Sequence, residues 1–114
     1  MLNQTVIVGR LVDNVKTIET EEGKKKSIIT LAVSRPFKNA DSEYETDYIN
    51  CVLWNGIAEN TAEYCHEGDV IGVKGRLQSE KADNGYILNL VAEKVTFLSS
   101  KKNDEVESGK EETN

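Results

Sequence analysis

Apolar and polar residues alternate with a period of two along most of this chain, and the period breaks once. Residues 5–12 (Thr-Val-Ile-Val-Gly-Arg-Leu-Val) are rich in β-branched side chains and predict a first strand. Gly9 inside that run marks a bulge or a close backbone approach. A short polar stretch follows, with a turn at Glu22-Gly23. In residues 27–35, Ile29, Leu31 and Val33 alternate with Thr30, Ala32 and Ser34, predicting a second strand that Pro36 should end. Residues 37–46, with Asn39, Asp41 and Ser42, read as a loop.

A third strand is predicted over residues 47–54, Asp-Tyr-Ile-Asn-Cys-Val-Leu-Trp. Successive side chains point to opposite sides of a strand. Ile49, Cys51 and Leu53 therefore form one aliphatic face, while Tyr48, Asn50, Val52 and Trp54 form the other. Here the period changes. Ile57, Ala58, Thr61, Ala62 and Cys65 recur at helical spacing, with Asn55 as the expected N-cap and Gly68 as the expected stop. Alternation returns in residues 70–77, where Ile71, Val73 and Leu77 oppose Val70, Lys74 and Arg76. Asp83-Asn84-Gly85 predicts a hairpin turn into a last strand over residues 86–98.

The predicted fold is all-β: a five-stranded OB-fold barrel with one short helix between strands 3 and 4. A β-sandwich is the alternative, though it usually takes about seven strands. Residues 1–98 are expected to form one domain. Residues 99–114 carry a single aliphatic, Val106, with three lysines and five carboxylates. Such a segment buries too little to offset its ordering entropy, so it is expected to be a disordered acidic tail, solubilising in the simplest case.

Composition narrows the functional classes. No run approaches the ~20 apolar residues of a membrane span, and the first residues lack the basic and apolar regions of a secretory signal. A cytosolic protein with no membrane partner is expected. The two cysteines, Cys51 and Cys65, show no metal-ligand spacing with the single histidine, His66, and are expected to be reduced and buried. No cofactor is implied. Nor is there a nucleophile–base pair or a phosphate-cradling glycine loop, so an enzyme is not expected, and His66 reads as a solvated or helix-capping group. The net charge of −6 means that any nucleic-acid affinity must come from where the cations sit.

The aromatic face of the third strand has two readings. Flat rings on an open strand face stack unpaired bases; the same rings also serve as half-buried packing or as an oligomer contact. Arg10, Arg35, Lys38, Lys74 and Arg76 are candidate phosphate contacts, and Asn50 a candidate polar contact to base or phosphate. Arg35 and Lys38 flank Phe37, and Lys74 and Arg76 share one strand face. Lys24-Lys25-Lys26 either touches nucleic acid or offsets Glu19, Glu21 and Glu22.

Several blocks in order carry a family resemblance: Leu2-Asn3 with Val6-Ile7-Val8-Gly9-Arg10-Leu11; Ile29-Thr30-Leu31-Ala32-Val33; Asp47 to Trp54; Ala58-Glu59; Gly68; and Val73-Lys74-Gly75-Arg76-Leu77. Over residues 1–98 the chain resembles the bacterial and phage single-stranded DNA-binding proteins. The resemblance implies an OB-fold subunit of a homotetramer that wraps single-stranded DNA without sequence preference during replication, recombination and repair, in the nucleoid or at the replication fork. Phe37, Tyr48 and Trp54 match the family's base-stacking aromatics. A further one would fall near Ala82, where a short hairpin leaves Tyr86 as the nearby ring. Members that recruit replication and repair enzymes end in acidic residues and a Pro-Phe tip. This sequence ends Lys-Glu-Glu-Thr-Asn, which lacks the aromatic anchor and argues against that recruitment. A primosomal accessory protein or an RNA-binding OB domain is the alternative on the same barrel.

Overall fold

The computed structural model describes residues 1–100. Its strands are β1 (Thr5–Leu11), β2 (Thr17–Glu19), β3 (Lys25–Lys38), β4 (Tyr44–Trp54), β5 (Val70–Ala82) and β6 (Gly85–Ser99), with helix α1 (Asn55–Tyr64) between β4 and β5. β1 runs antiparallel to β5 along Thr5–Arg10 and switches to β3 at Arg10 and Leu11. β3 and β4 form a long antiparallel hairpin, and β5 and β6 form another. A short parallel contact, Cys51–Val52 of β4 with Leu90–Val91 of β6, joins the two hairpins and closes the barrel. This is the predicted OB-fold.

Alternation fills the barrel. Ile29 and Leu31, Cys51 and Leu53, and Ile71 and Val73 point inward with Leu11 and Leu90, all but excluded from water. Each such aliphatic contributes about 1.5–3 kcal/mol by leaving solvent. Helix α1 closes one end by inserting Ala58 and Thr61, and Cys65 seals the same layer. Both thiols are free and buried, and burial pushes Cys51 up to about 12. Among the described residues, no helix is long and apolar enough to cross a membrane.

The structure corrects the sequence reading at several boundaries. β3 passes through Pro36 and ends at Lys38, so the loop expected over residues 37–46 shrinks to residues 39–43. The proline is tolerated because the β3–β4 register shifts between Ser34 and Lys38, where no ladder donor is required. β2 was not expected: its three exposed residues carry no alternation, and it forms by pairing on the edge of β3. Asn55 is not the N-cap. Trp54 holds the extended cap conformation, without a side-chain cap bond, and Asn55 enters the helix at φ 50°. Gly68 does not stop α1, which ends at Tyr64; at φ 91° it turns the chain into β5 and bonds back to the Leu11 carbonyl. Ser99, placed in the expected tail, belongs to β6 and Ser100 follows it; residues 101–114 of that tail lie outside the described residues.

Candidate nucleic-acid interface

β4 carries the two faces that its sequence predicts, with one difference. Cys51 and Leu53 point into the core, and Tyr48 on the other face is 67% exposed. Asn50 is exposed beside it and Trp54 is half-buried, but Val52 between them is covered and pairs across the ladders with Ile28 and Val91. The face is thus open at Tyr48 and Asn50, closed at Val52, and half open at Trp54.

A transverse row crosses three strands at Tyr48. Arg10 of β1 stands opposite Ala32 of β3, and Ala32 stands opposite Tyr48. Strands lie about 4.8 Å apart, so the guanidinium and the ring flank a small residue across roughly 10 Å of backbone. Gly9 makes that closeness possible. A Cβ there would lie 2.7 Å from the Ala32 carbonyl oxygen, which no backbone shift within a closed barrel relieves cheaply. Arg10 donates to the Gly68 carbonyl, which fixes its direction. The result is a hollow of about 300 Å³ lined by Arg10, Ala32, Tyr48, Glu67 and Gly68 among others. Next along β4, the Asn50 side-chain carbonyl accepts from Thr30 at 2.8 Å, leaving both amide hydrogens without a partner among the described residues.

Trp54 lies at the other end. Lys26, its partner across β3–β4, places Nζ 5.2 Å from the indole centroid. The basic run splits: Lys24 pairs with Glu22 and Lys25 with Glu19, while Lys26 turns to the ring. Thr20, Glu21, Glu22 and Lys24 border a hollow of about 480 Å³ beside Trp54, giving this end an acidic rim.

The β3–β4 hairpin projects as an arm. Phe37 is 64% exposed on it, and Lys38 sits opposite Tyr44. Arg35 makes a fork of hydrogen bonds to Asp47, the nearest at 2.9 Å, and a further one to Glu45. The hydrogen bond from Arg35 holds the Asp47 carboxyl below its ordinary range, and the same contacts raise Arg35. Arg35 therefore spends its charge on two carboxylates and organises the arm.

Lys74 and Arg76 are on β5, two ladders from β4 through β6 and three through β1 and β3. Lys74 stands opposite Val6 on one side and Lys94 on the other. Arg76 stands opposite Val91, which is opposite Val52, and reaches Glu93 at 3.5 Å. The structure thus gathers Arg10, Tyr48, Asn50 and Trp54 on one face, sets Phe37 and Lys38 on its arm, and puts Lys74 and Arg76 around the corner. Ala82 and Tyr86 flank the Asp83-Asn84-Gly85 segment at the far tip of the β5–β6 hairpin, where Ala82 faces Gly85 and Tyr86 faces Lys81. His66 is exposed, with its backbone N–H bonded to Asp69.

Sequence reasoning missed two residues. Lys26 was hidden within a charge run, and only the β3–β4 register singles it out. Tyr44 fell in the supposed loop; its even spacing from Tyr48 becomes a signal only once β4 is known to begin there.

The model of the "Single-strand binding protein family" matches residues 2–98. "Single-stranded DNA-binding protein B" of Bacillus subtilis (strain 168) is 43% identical over 106 residues, covering 89% of this chain and 94% of that protein. "Single-stranded DNA-binding protein 3" of Listeria innocua is 42% identical over 108 residues, covering 90% of this chain and 68% of that one. "Single-stranded DNA-binding protein 2" of Staphylococcus aureus (strain COL) is 41% identical over 109 residues, covering 91% and 78% respectively.

Proposed function

The chain belongs to the single-strand binding protein family, and from that premise we propose that it holds single-stranded DNA, without sequence preference, across the outer face of β3 and β4. It acts as a binding protein, not an enzyme. One observation carries the reading: Tyr48 stands open at the centre of the barrel wall, between a fixed arginine and an amide whose N–H groups have no partner among the described residues. Bases stack on Tyr48, on the free edge of Trp54 and on Phe37, each stack contributing about 1–3 kcal/mol. Every base has a π-face, so this term is blind to sequence. Arg10, Lys26 and Lys38 line the face and its arm and meet phosphates, with Lys74 and Arg76 extending the basic path onto β5. Asn50 donates to base or phosphate. Releasing counterions from the strand makes the affinity fall with salt.

A homotetramer has a surface to form on. Val6 and Val8 are exposed on the outside of β1, with Leu98 packed near Val8 over Gly72. Exposed aliphatics on a strand face ask for a partner, and a second copy fits a symmetric assembly. In the cell the reading places the protein on exposed strands during replication, recombination and repair.

The test is a titration with oligo-dT and, side by side, oligo-U, following Trp54 fluorescence across a salt series. Quenching by DNA with a negative salt slope is the expected result. No quenching by a folded protein sinks the proposal, and a clear preference for RNA favours the RNA-binding alternative.

A further inference from the structure

Tyr44 is a large ring that the fold leaves unused. It is 60% exposed, at the first position of β4, and its one ring contact among the described residues is Lys38, whose Nζ lies 5.7 Å from the centroid. β4 remains regular while β3 absorbs the register shift, with three residues between Ser34 and Lys38 against one between Tyr44 and Thr46. Tyr44, Thr46, Tyr48 and Asn50 therefore follow one another on one face. Tyr44 lies about 13 Å from Tyr48 along the strand, from a rise of about 3.3 Å per residue.

Two features make the arm's outer face suited to an anion. The acidic residues of the strand itself are on the other side: Glu45 and Asp47 alternate away from Tyr44 and are held by Arg35, while Asp41 and Glu43 lie in the turn beyond it. The residues that share the Tyr44 face, Ser34, Thr46 and Lys38, include no carboxylate. The tip is also ordered before anything binds. The Asn39 side chain accepts from the backbone of Asp41 and Glu43, and Asn39 and Glu43 bond to each other at 2.8 Å. A preformed platform avoids the ordering cost that a flexible loop would add. The Trp54 end differs, since Glu21 and Glu22 stand beside the ring there.

We propose that Tyr44 and Lys38 form a further nucleotide subsite at the tip of the β3–β4 arm, where a base stacks on the Tyr44 ring and its phosphate meets Lys38. This rests on the reading that the Tyr48 face holds single-stranded DNA, and it extends that path outward along the arm. The ring is the operative group, and its hydroxyl is dispensable.

The experiment compares wild type with Tyr44→Leu, Tyr44→Phe and Lys38→Gln, titrated with oligo-dT of about 16 nucleotides, the upper end of the span held by one OB fold. Trp54 fluorescence reports occupancy of the main face. Tyr44→Leu keeps apolar bulk but loses the flat ring; it should weaken binding roughly 5- to 150-fold, the equivalent of one lost stack. Tyr44→Phe should bind as wild type, and both should reach the wild-type quench at saturation. Lys38→Gln should reduce the salt slope by about 0.7, one phosphate on a single strand. Wild-type affinity in Tyr44→Leu, or equal weakening in Tyr44→Phe, overturns this subsite while leaving the main face intact. Absence of quenching in the wild type overturns the main reading and this one with it.

Discussion

Replacing Tyr48 with alanine separates the two uses of an exposed ring, because folding and binding would lose different amounts. The ring is 67% exposed, so only about a third of its surface is withdrawn from water in the free protein. An aromatic side chain fully buried hides roughly 150–250 Å². A third of that, at about 25 cal/mol per Å², gives at most roughly 1–2 kcal/mol of folding stability. A ring that truly belonged to the core would cost about 3–5 kcal/mol on truncation. Binding, by contrast, should lose about 1–3 kcal/mol, or roughly 5- to 150-fold in affinity.

The assay can use the protein's own probe. Trp54 is the single tryptophan and lies six residues along β4 from Tyr48, about 20 Å away, so the substitution leaves its surroundings alone. Urea unfolding and oligo-dT titration on Tyr48→Ala and Tyr48→Phe supply both quantities. The expected pattern is a small stability change, a clear affinity loss in Tyr48→Ala and none in Tyr48→Phe. A stability loss above about 3 kcal/mol with unchanged affinity would show that the ring is packing material, and the proposed face would fall.

The other predictions are more local. Arg35→Gln should leave the salt slope of binding unchanged, since that guanidinium is already matched by Asp47 and Glu45; a fall of about 0.7 would make it a phosphate contact after all. Because Asp47 is held below its ordinary value, its contribution to the arm is complete above about pH 4 and fades as pH falls through the lowered value. The protection of hairpin amides, taken relative to their intrinsic exchange rates at each pH, should fall over that acid window in wild type but not in Arg35→Gln. Gly75→Ala should destabilise by about 2 kcal/mol or more in urea, because the new Cβ would lie 2.0 Å from the Val91 carbonyl oxygen. Val8→Glu should shift light scattering from an assembly to a monomer if the outer face of β1 is the subunit contact.

How much of this was legible beforehand depends on what each signal measures. Period-two alternation reports which residues face a core, so the barrel strands and the inward set of Ile29, Leu31, Cys51, Leu53, Ile71 and Val73 could be read directly. The arm could not, because its residues alternate between water and water. With no core on either side, the hydrophobic pattern vanishes, and residues 37–46 look like loop although strand occupies both ends of the stretch. Its order comes from Arg35 and the β3–β4 ladder, which pair residues a dozen or so positions apart, and from the local turn that Asn39 holds. The charges were opaque for the same reason. A sequence shows three adjacent lysines or an arginine near an aromatic, but only register decides that Lys26 meets Trp54 and that Arg35 meets Asp47.

That sorting resolves the conflict posed by the net charge of −6. Fields that matter to a polynucleotide act over roughly a Debye length, about 8–10 Å at ordinary salt, so the local arrangement outweighs the total. On β4 the carboxylates of Glu45 and Asp47 alternate away from Tyr44 and Tyr48 and are neutralised from β3. Arg10 is brought to Tyr48 by a glycine that lets β1 press against β3. A strand lying along this face meets rings, amide hydrogens and cations, with Glu45 and Asp47 behind it, Glu21 and Glu22 beyond Trp54, and Glu67 the carboxylate that borders the Arg10 hollow. It follows that moving a single carboxylate onto the open face, as in Thr46→Glu, should weaken DNA binding more than adding one at exposed Glu63's neighbour Ala62 on α1, although the net charge changes equally. Equal losses would mean that the total charge governs affinity and that the sorted face does not.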